Sequence, residues 1–153
     1  MKFTRILITG LLVVSALSVF ATPVFAANEN FGFDLHNTGG EYNVCTWHSN
    51  EKLYVNNDAT VKTTSNNAPG YGTAFVMMHK YTDIGGHDIY EKDTKYKKPA
   101  LWISGIGQVH PKYLPGHAVA HRKYYVAARM DDDYTRYCSC YGKFNSDETD
   151  IKY

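Results

Sequence analysis

Gly116-His-Ala-Val-Ala-His-Arg-Lys-Tyr-Tyr-Val-Ala-Ala-Arg-Met130, followed after Asp131-Asp132-Asp133 by Tyr134-Thr-Arg-Tyr-Cys-Ser-Cys-Tyr-Gly-Lys-Phe144, is the stretch on which the fold turns. After Gly116 it runs to Met130 without Gly, Pro, Asn or Asp, the longest such run beyond the apolar N-terminus. Two periods compete in it. Val119, Lys123, Val126 and Met130 fall at helical spacing, whereas Ala118, Ala120, Tyr124, Val126, Ala128 and Met130 fall at strand spacing, interrupted only at Arg122. Tyr124-Tyr125-Val126, and the Tyr, Thr and Cys of the following segment, suit a pleated surface better than a helix. Two extended segments joined by short acidic residues read as a β-hairpin. Its first strand has two unlike faces, with the alanines, Tyr124, Val126 and Met130 inward and His121, Lys123, Tyr125 and Arg129 outward.

Outward from this stretch, the rest of the chain reads as short strands between turn formers. Phe31, Phe33 and Leu35 alternate ahead of Gly39-Gly40. Tyr42, Val44 and Thr46 alternate with Asn43, Cys45 and Trp47. Lys52 to Val55 and Thr60 to Thr64 flank Asn56-Asn57-Asp58 as a second hairpin candidate. Ala74-Phe75-Val76-Met77-Met78 is apolar enough for a strand buried on both faces. Asp83 to Pro99 carries Gly85-Gly86 and Lys92, Lys95, Lys97 and Lys98, the composition of a solvated loop or edge. Strand character resumes around Trp102. The expectation is an all-β protein, a small antiparallel β-sandwich, with Phe75, Val76, Met77, Trp102, Ile103, Tyr124, Val126 and Met130 in its core.

Lys2 and Arg5 precede an apolar run from Ile6 to Phe20 and small residues up to Ala26, the pattern of a secretory signal peptide over residues 1–26. The run is short for a span of about 20 apolar residues and is broken by Gly10 and Pro23, so no transmembrane span is expected in the mature protein. Residues 27–153 then form a single secreted domain. Of the 16 Lys and Arg, Lys2 and Arg5 leave with the leader while all 15 Asp and Glu remain, a mature charge of about −1 with His neutral. Such a balance gives no broad attraction to nucleic acid or anionic membrane.

Three cysteines in an exported chain predict one disulfide. Cys138 and Cys140 stand about 7 Å apart along a strand, near the limit for bridging each other, so Cys45 with one of them is preferred. The bridge would close a loop of roughly 90 residues, worth about 4 kcal/mol in the chain-entropy model. Cys45, His48, Cys138 and Cys140 also supply the ligand types of a zinc site, though i and i+3 on a strand face opposite ways. His117 and His121 would share a metal on a helix but stand about 13 Å apart on a strand. Asp131-Asp132-Asp133 lacks the alternating ligands and closing Glu of a calcium loop. No metal or cofactor is expected.

No His-Glu-x-x-His, Gly-x-Ser-x-Gly, phosphate-loop or Cys-x-x-Cys motif occurs. His87-Asp88 are adjacent and in an extended chain point apart, so no catalytic residue is assigned. A signal ending in Ala, Asn28-Glu-Asn-Phe-Gly-Phe33, Tyr124-Tyr-Val-Ala-Ala-Arg129 and Cys140-Tyr-Gly-Lys-Phe-Asn-Ser-Asp147 together resemble small exported Gram-positive proteins classed as a domain of unknown function. In plan the chain also resembles lactococcin-type bacteriocins, which implies a secreted β-sandwich. The expected role is a non-enzymatic secreted protein that binds a cell-surface or cell-wall component or acts on competing bacteria, its candidate ligand surface being His121, Lys123, Tyr125 and Arg129 facing an anionic wall polymer. The competing role is a small secreted hydrolase or nuclease using histidine chemistry.

Overall fold

The computed structural model describes residues 27–36, 41–95, 101–130, 137–147 and 151. They form ten strands and no helix: β1 (Glu29–Leu35), β2 (Asn43–Val44), β3 (Asn50–Glu51), β4 (Thr60–Asn66), β5 (Thr73–Thr82), β6 (Asp88–Lys92), β7 (Trp102–Ile103), β8 (Gly107–Val109), β9 (Lys123–Met130) and β10 (Cys138–Asn145). One sheet has the order β1-β10-β4-β8; the other has β2-β9-β5-β6, with β3 also on β9 and β7 also on β5. Every pairing between these strands is antiparallel, and one sheet curls into a half-barrel. Among the described residues no helix is long and apolar enough to cross a membrane.

Period-2 alternation builds the core between the sheets. Phe31, Phe33 and Leu35 of β1 and Cys138, Cys140 and Phe144 of β10 face Phe75 and Met77 of β5 and Tyr124, Val126, Ala128 and Met130 of β9 in one buried cluster. A bulge at Tyr141 and Gly142 shifts the β10–β4 register. A Cβ at Gly142 would lie 2.0 Å from the Lys62 carbonyl oxygen and 2.7 Å from the Phe31 ring, so only glycine lets the strands close there. β5 is buried on both faces from Thr73 to Met78, as its unbroken apolar run predicts.

Two predicted pairings are corrected. β9 and β10 are strands, but they do not form a hairpin with each other; they lie in different sheets and bury their apolar rows against one another across the core. Both apolar rows suit an inward face in either sheet, so alternation alone does not make the two strands neighbours. The Lys52–Thr64 hairpin is absent too. β3 pairs with β9 and β4 with β10 and β8, because Lys52 turns into the interior instead of continuing a ladder. β9 begins at Lys123, five residues later than the alternation of alanines suggests. His121, at φ 62°, sits in a turn before it. The charge run is half solvated: β6 is an exposed edge strand, whereas Asp93 and Thr94 are buried. The predicted leader, Gly39-Gly40, Lys97-Lys98 and Asp131-Asp132-Asp133 lie outside the described residues.

A buried polar network fastens the 50–57 segment to the end of β10. Lys52 Nζ donates to the carbonyls of Asn57 and Ser146, both at 2.7 Å, and lies 4.3 Å from the centre of the Tyr113 ring. The Asp147 carboxylate accepts from the amides of Leu53 (2.8 Å) and Tyr54 (3.2 Å), while Asn50 Oδ1 takes the Ser146 amide at 2.8 Å. Burial nevertheless pulls the Lys52 ammonium below its ordinary range, against the opposing pull of Asp147.

Candidate functional site

The outward row read from β9 is only partly realised. Lys123 is exposed, but Tyr125 packs edge-on against Tyr90 at 5.3 Å between centroids. The Arg129 guanidinium lies 5.5 Å from the Tyr42 ring centre and 5.8 Å from that of Trp102. These large side chains roof a floor of small and apolar residues, Ala74, Val76, Met78 and Ala127, all buried on the outer face of the sheet. His121 leaves the row altogether, its Nδ1 2.9 Å from Glu51 Oε1. Trp102, expected in the core, is buried as expected, but next to Arg129 and outside the main cluster between the sheets.

The predicted disulfide is not present: Cys45, Cys138 and Cys140 are free and buried. All three sulfurs lie in the core between the sheets. Burial pushes the Cys138 thiol up and that of Cys140 up to about 12, in spite of a hydrogen bond with Thr73. Thiols held protonated are poor nucleophiles and poor metal ligands. His48 does not join them; beyond the bend at Trp47 it turns outward to Glu29, Nδ1 to Oε2 3.5 Å. No group of three His, Cys, Asp or Glu among the described residues is disposed to hold a metal.

A different polar constellation was not legible in the sequence. Asp93, fully buried just past β6, holds two imidazoles: His79 Nδ1 from β5 at 2.8 and 2.9 Å, and His117 Nδ1 from the 115–121 turns at 2.9 Å. Backbone bonds fix the carboxylate's position, since the Asp93 amide donates to Met77 and its carbonyl accepts from Leu114, both at 2.8 Å. Tyr124 Oη secures the turn by donating to the His117 carbonyl and accepting the Val119 amide at 2.9 Å. Burial raises the Tyr124 phenol. Each Nδ1 is thus tied to the carboxylate and each Nε2 points away from it; His79 Nε2 lies 3.9 Å from Glu91. His87, weighed with Asp88, instead caps its own turn through Asp83, amide to Oδ1 2.7 Å.

A cleft lined by exposed aromatics lies on the other sheet. Gly32, Phe33, Asp34, Trp47 and Tyr141 line it, and its volume is about 380 Å³. β1 and β10 place Gly32 opposite Tyr141 and Asp34 opposite Ser139. The Tyr141 ring rests on Gly32 so closely that a Cβ there would lie 2.9 Å from Cδ1. Trp47 comes from the bend after β2 and is 82% exposed. Ser139 Oγ donates to Asp34 Oδ1 at 2.9 Å, fixing the carboxylate at the cleft.

Comparison of the chain with protein-family models, with curated proteins and with solved structures found no match.

Proposed function

We propose that this chain is a secreted, non-enzymatic binding protein with bacteriocin-like action, working outside the producing cell on a component of the bacterial surface or wall. The observation that supports the reading is the Trp47–Tyr141 cleft. A largely exposed indole beside a second ring forgoes burial worth about 2 kcal/mol, a disposition characteristic of recognition surfaces. Tyr and Trp give large contact area with few torsions to freeze. Lys123 of β9 adds an exposed charge for an anionic wall polymer, while Tyr125 and Arg129 serve mainly to roof their sheet.

Sedimentation with purified bacterial cell wall, beside growth inhibition on a panel of strains, tests the proposal. The Trp47→Ala, Tyr141→Ala double variant, folded by circular dichroism, is expected to lose wall binding about tenfold or more, as befits two aromatic contacts. Binding that is absent in the parent, or unchanged in the variant, sinks it.

The hydrolase reading rests on a separate observation, the His79–Asp93–His117 constellation. A carboxylate that holds Nδ1 leaves Nε2 to exchange protons with a substrate or water. A hydrolase and nuclease screen decides: turnover abolished by His117→Ala replaces the binding reading with this one.

A further inference from the structure

We propose that the Trp47–Tyr141 cleft takes an organic cation, a quaternary or alkyl-substituted ammonium group; the inference deepens the binding reading above and rests on it. Three features select the charge. First, Trp47 and Tyr141 line the cleft, and an aromatic ring attracts a cation through its quadrupole, Trp most strongly of the side chains. Trp47 is 82% exposed and Tyr141 47% exposed, so both rings are open to a ligand. Second, among the described residues that line the cleft, Asp34 is the one with a formal charge, the others being Gly32, Phe33, Trp47 and Tyr141. Ser139 holds one carboxylate oxygen at 2.9 Å, which orients the group without neutralising it. Third, Gly32 lets the Tyr141 ring settle on the strand, where any side chain would displace it. The ring is therefore positioned before a ligand arrives.

The same features disfavour other ligand classes. An anion meets the Asp34 carboxylate. A neutral sugar needs several convergent polar groups to satisfy its hydroxyls, and the lining side chains offer Asp34 and the Tyr141 hydroxyl. A substituted ammonium presents methyl or methylene groups to the rings and its charge to Asp34. The volume of about 380 Å³ admits such a headgroup with room for the chain that carries it.

The test uses the intact protein with tetramethylammonium and choline as probes at constant ionic strength. Trp47 and Trp102 give two indole N–H signals in a nitrogen–proton NMR spectrum, assigned with Trp47→Phe. Both probes are expected to shift the Trp47 signal saturably in the millimolar range and to leave Trp102 in place. Asp34→Asn should weaken binding about fivefold, and Trp47→Ala should abolish it. The uncharged choline isostere 3,3-dimethylbutanol is the decisive control. If it binds as well as choline, or if Asp34→Asn changes nothing, the cleft selects apolar shape rather than charge and the inference is overturned. Wall binding that depends on Trp47, without any response to the cations, overturns this inference alone. Saturable cation binding without wall binding supports it while removing the cell-wall reading.

Discussion

Lys52 Nζ and Asp147 Oδ1 lie 3.1 Å apart, and neither side chain reaches solvent. A buried pair of this kind is held by its surroundings as much as by its own attraction, because each ion also needs its remaining donors or acceptors filled. Here two carbonyls complete the ammonium and two amides the carboxylate. Removing one ion strands the other. Lys52→Met and Asp147→Asn should each cost about 3–5 kcal/mol in urea unfolding. The double variant should lose clearly less than the two together, and strict additivity would show that the ions do not interact.

The thiol groups give a second expectation. With all three buried and Cys138 and Cys140 held protonated, none should react with an aromatic disulfide reagent in the native protein at pH 8, and all three should react in guanidinium. Fewer than three after denaturation would mean that a bridge forms in solution.

Alkaline pH should destabilise the fold. Burial raises Tyr113, Tyr124, Cys138 and Cys140 above their ordinary values. A raised acid binds its proton more tightly folded than unfolded, so its contribution is complete below the unfolded value and is lost as pH climbs toward the folded one. For Cys140, moving from 9.0 to about 12, the loss approaches roughly 4 kcal/mol by pH 12. Lys52, lowered by burial, works the other way but is one group against four. The melting temperature should fall from about pH 9 upward. Cys140→Ala should flatten that fall, and an unchanged slope would disprove the assignment.

Asp93→Asn tests the carboxylate between the two histidines. The amide keeps one acceptor oxygen in place of Oδ1, 2.9 Å from both Nδ1 atoms, but sets an NH2 donor where Oδ2 accepts from His79 Nδ1 at 2.8 Å, so that bond is lost. A loss of about 1–3 kcal/mol is expected. His117→Ala should cost less, because His117 is partly exposed and the buried His79–Asp93 bond survives. The reverse order would show that the turn at 115–121, rather than the carboxylate, is the keystone.

What the sequence disclosed was orientation; what it withheld was partnership. Alternation correctly turned Tyr124, Val126 and Met130 toward the core, because period 2 reports which face a residue occupies. The same signal does not tell whether β10 lies beside β9 or across from it. Trp47 escaped for a related reason. Alternation put it with Cys45, but β2 ends at Val44 and the chain bends at Trp47, so one is buried and the other is almost wholly exposed. Asp93 sat in a lysine-rich stretch that reads as solvated. Its partners are 14 and 24 residues away, and only the folded chain brings them together.

The pairing of β1 with β10, Glu29 opposite Phe144, sets a timetable for folding. β10 is the strand between β1 and β4, so two of the ladders in its sheet wait for residues 138–145. Until those residues leave the ribosome, β1 has no neighbour to bond and half of the core has no lid. Folding must then close loops of about a hundred residues, a search measured in milliseconds to seconds rather than microseconds. A nascent chain stopped short of Cys138 can pair β2, β3, β5, β6, β7 and β9, but leaves β1 and one edge of β4 unmatched.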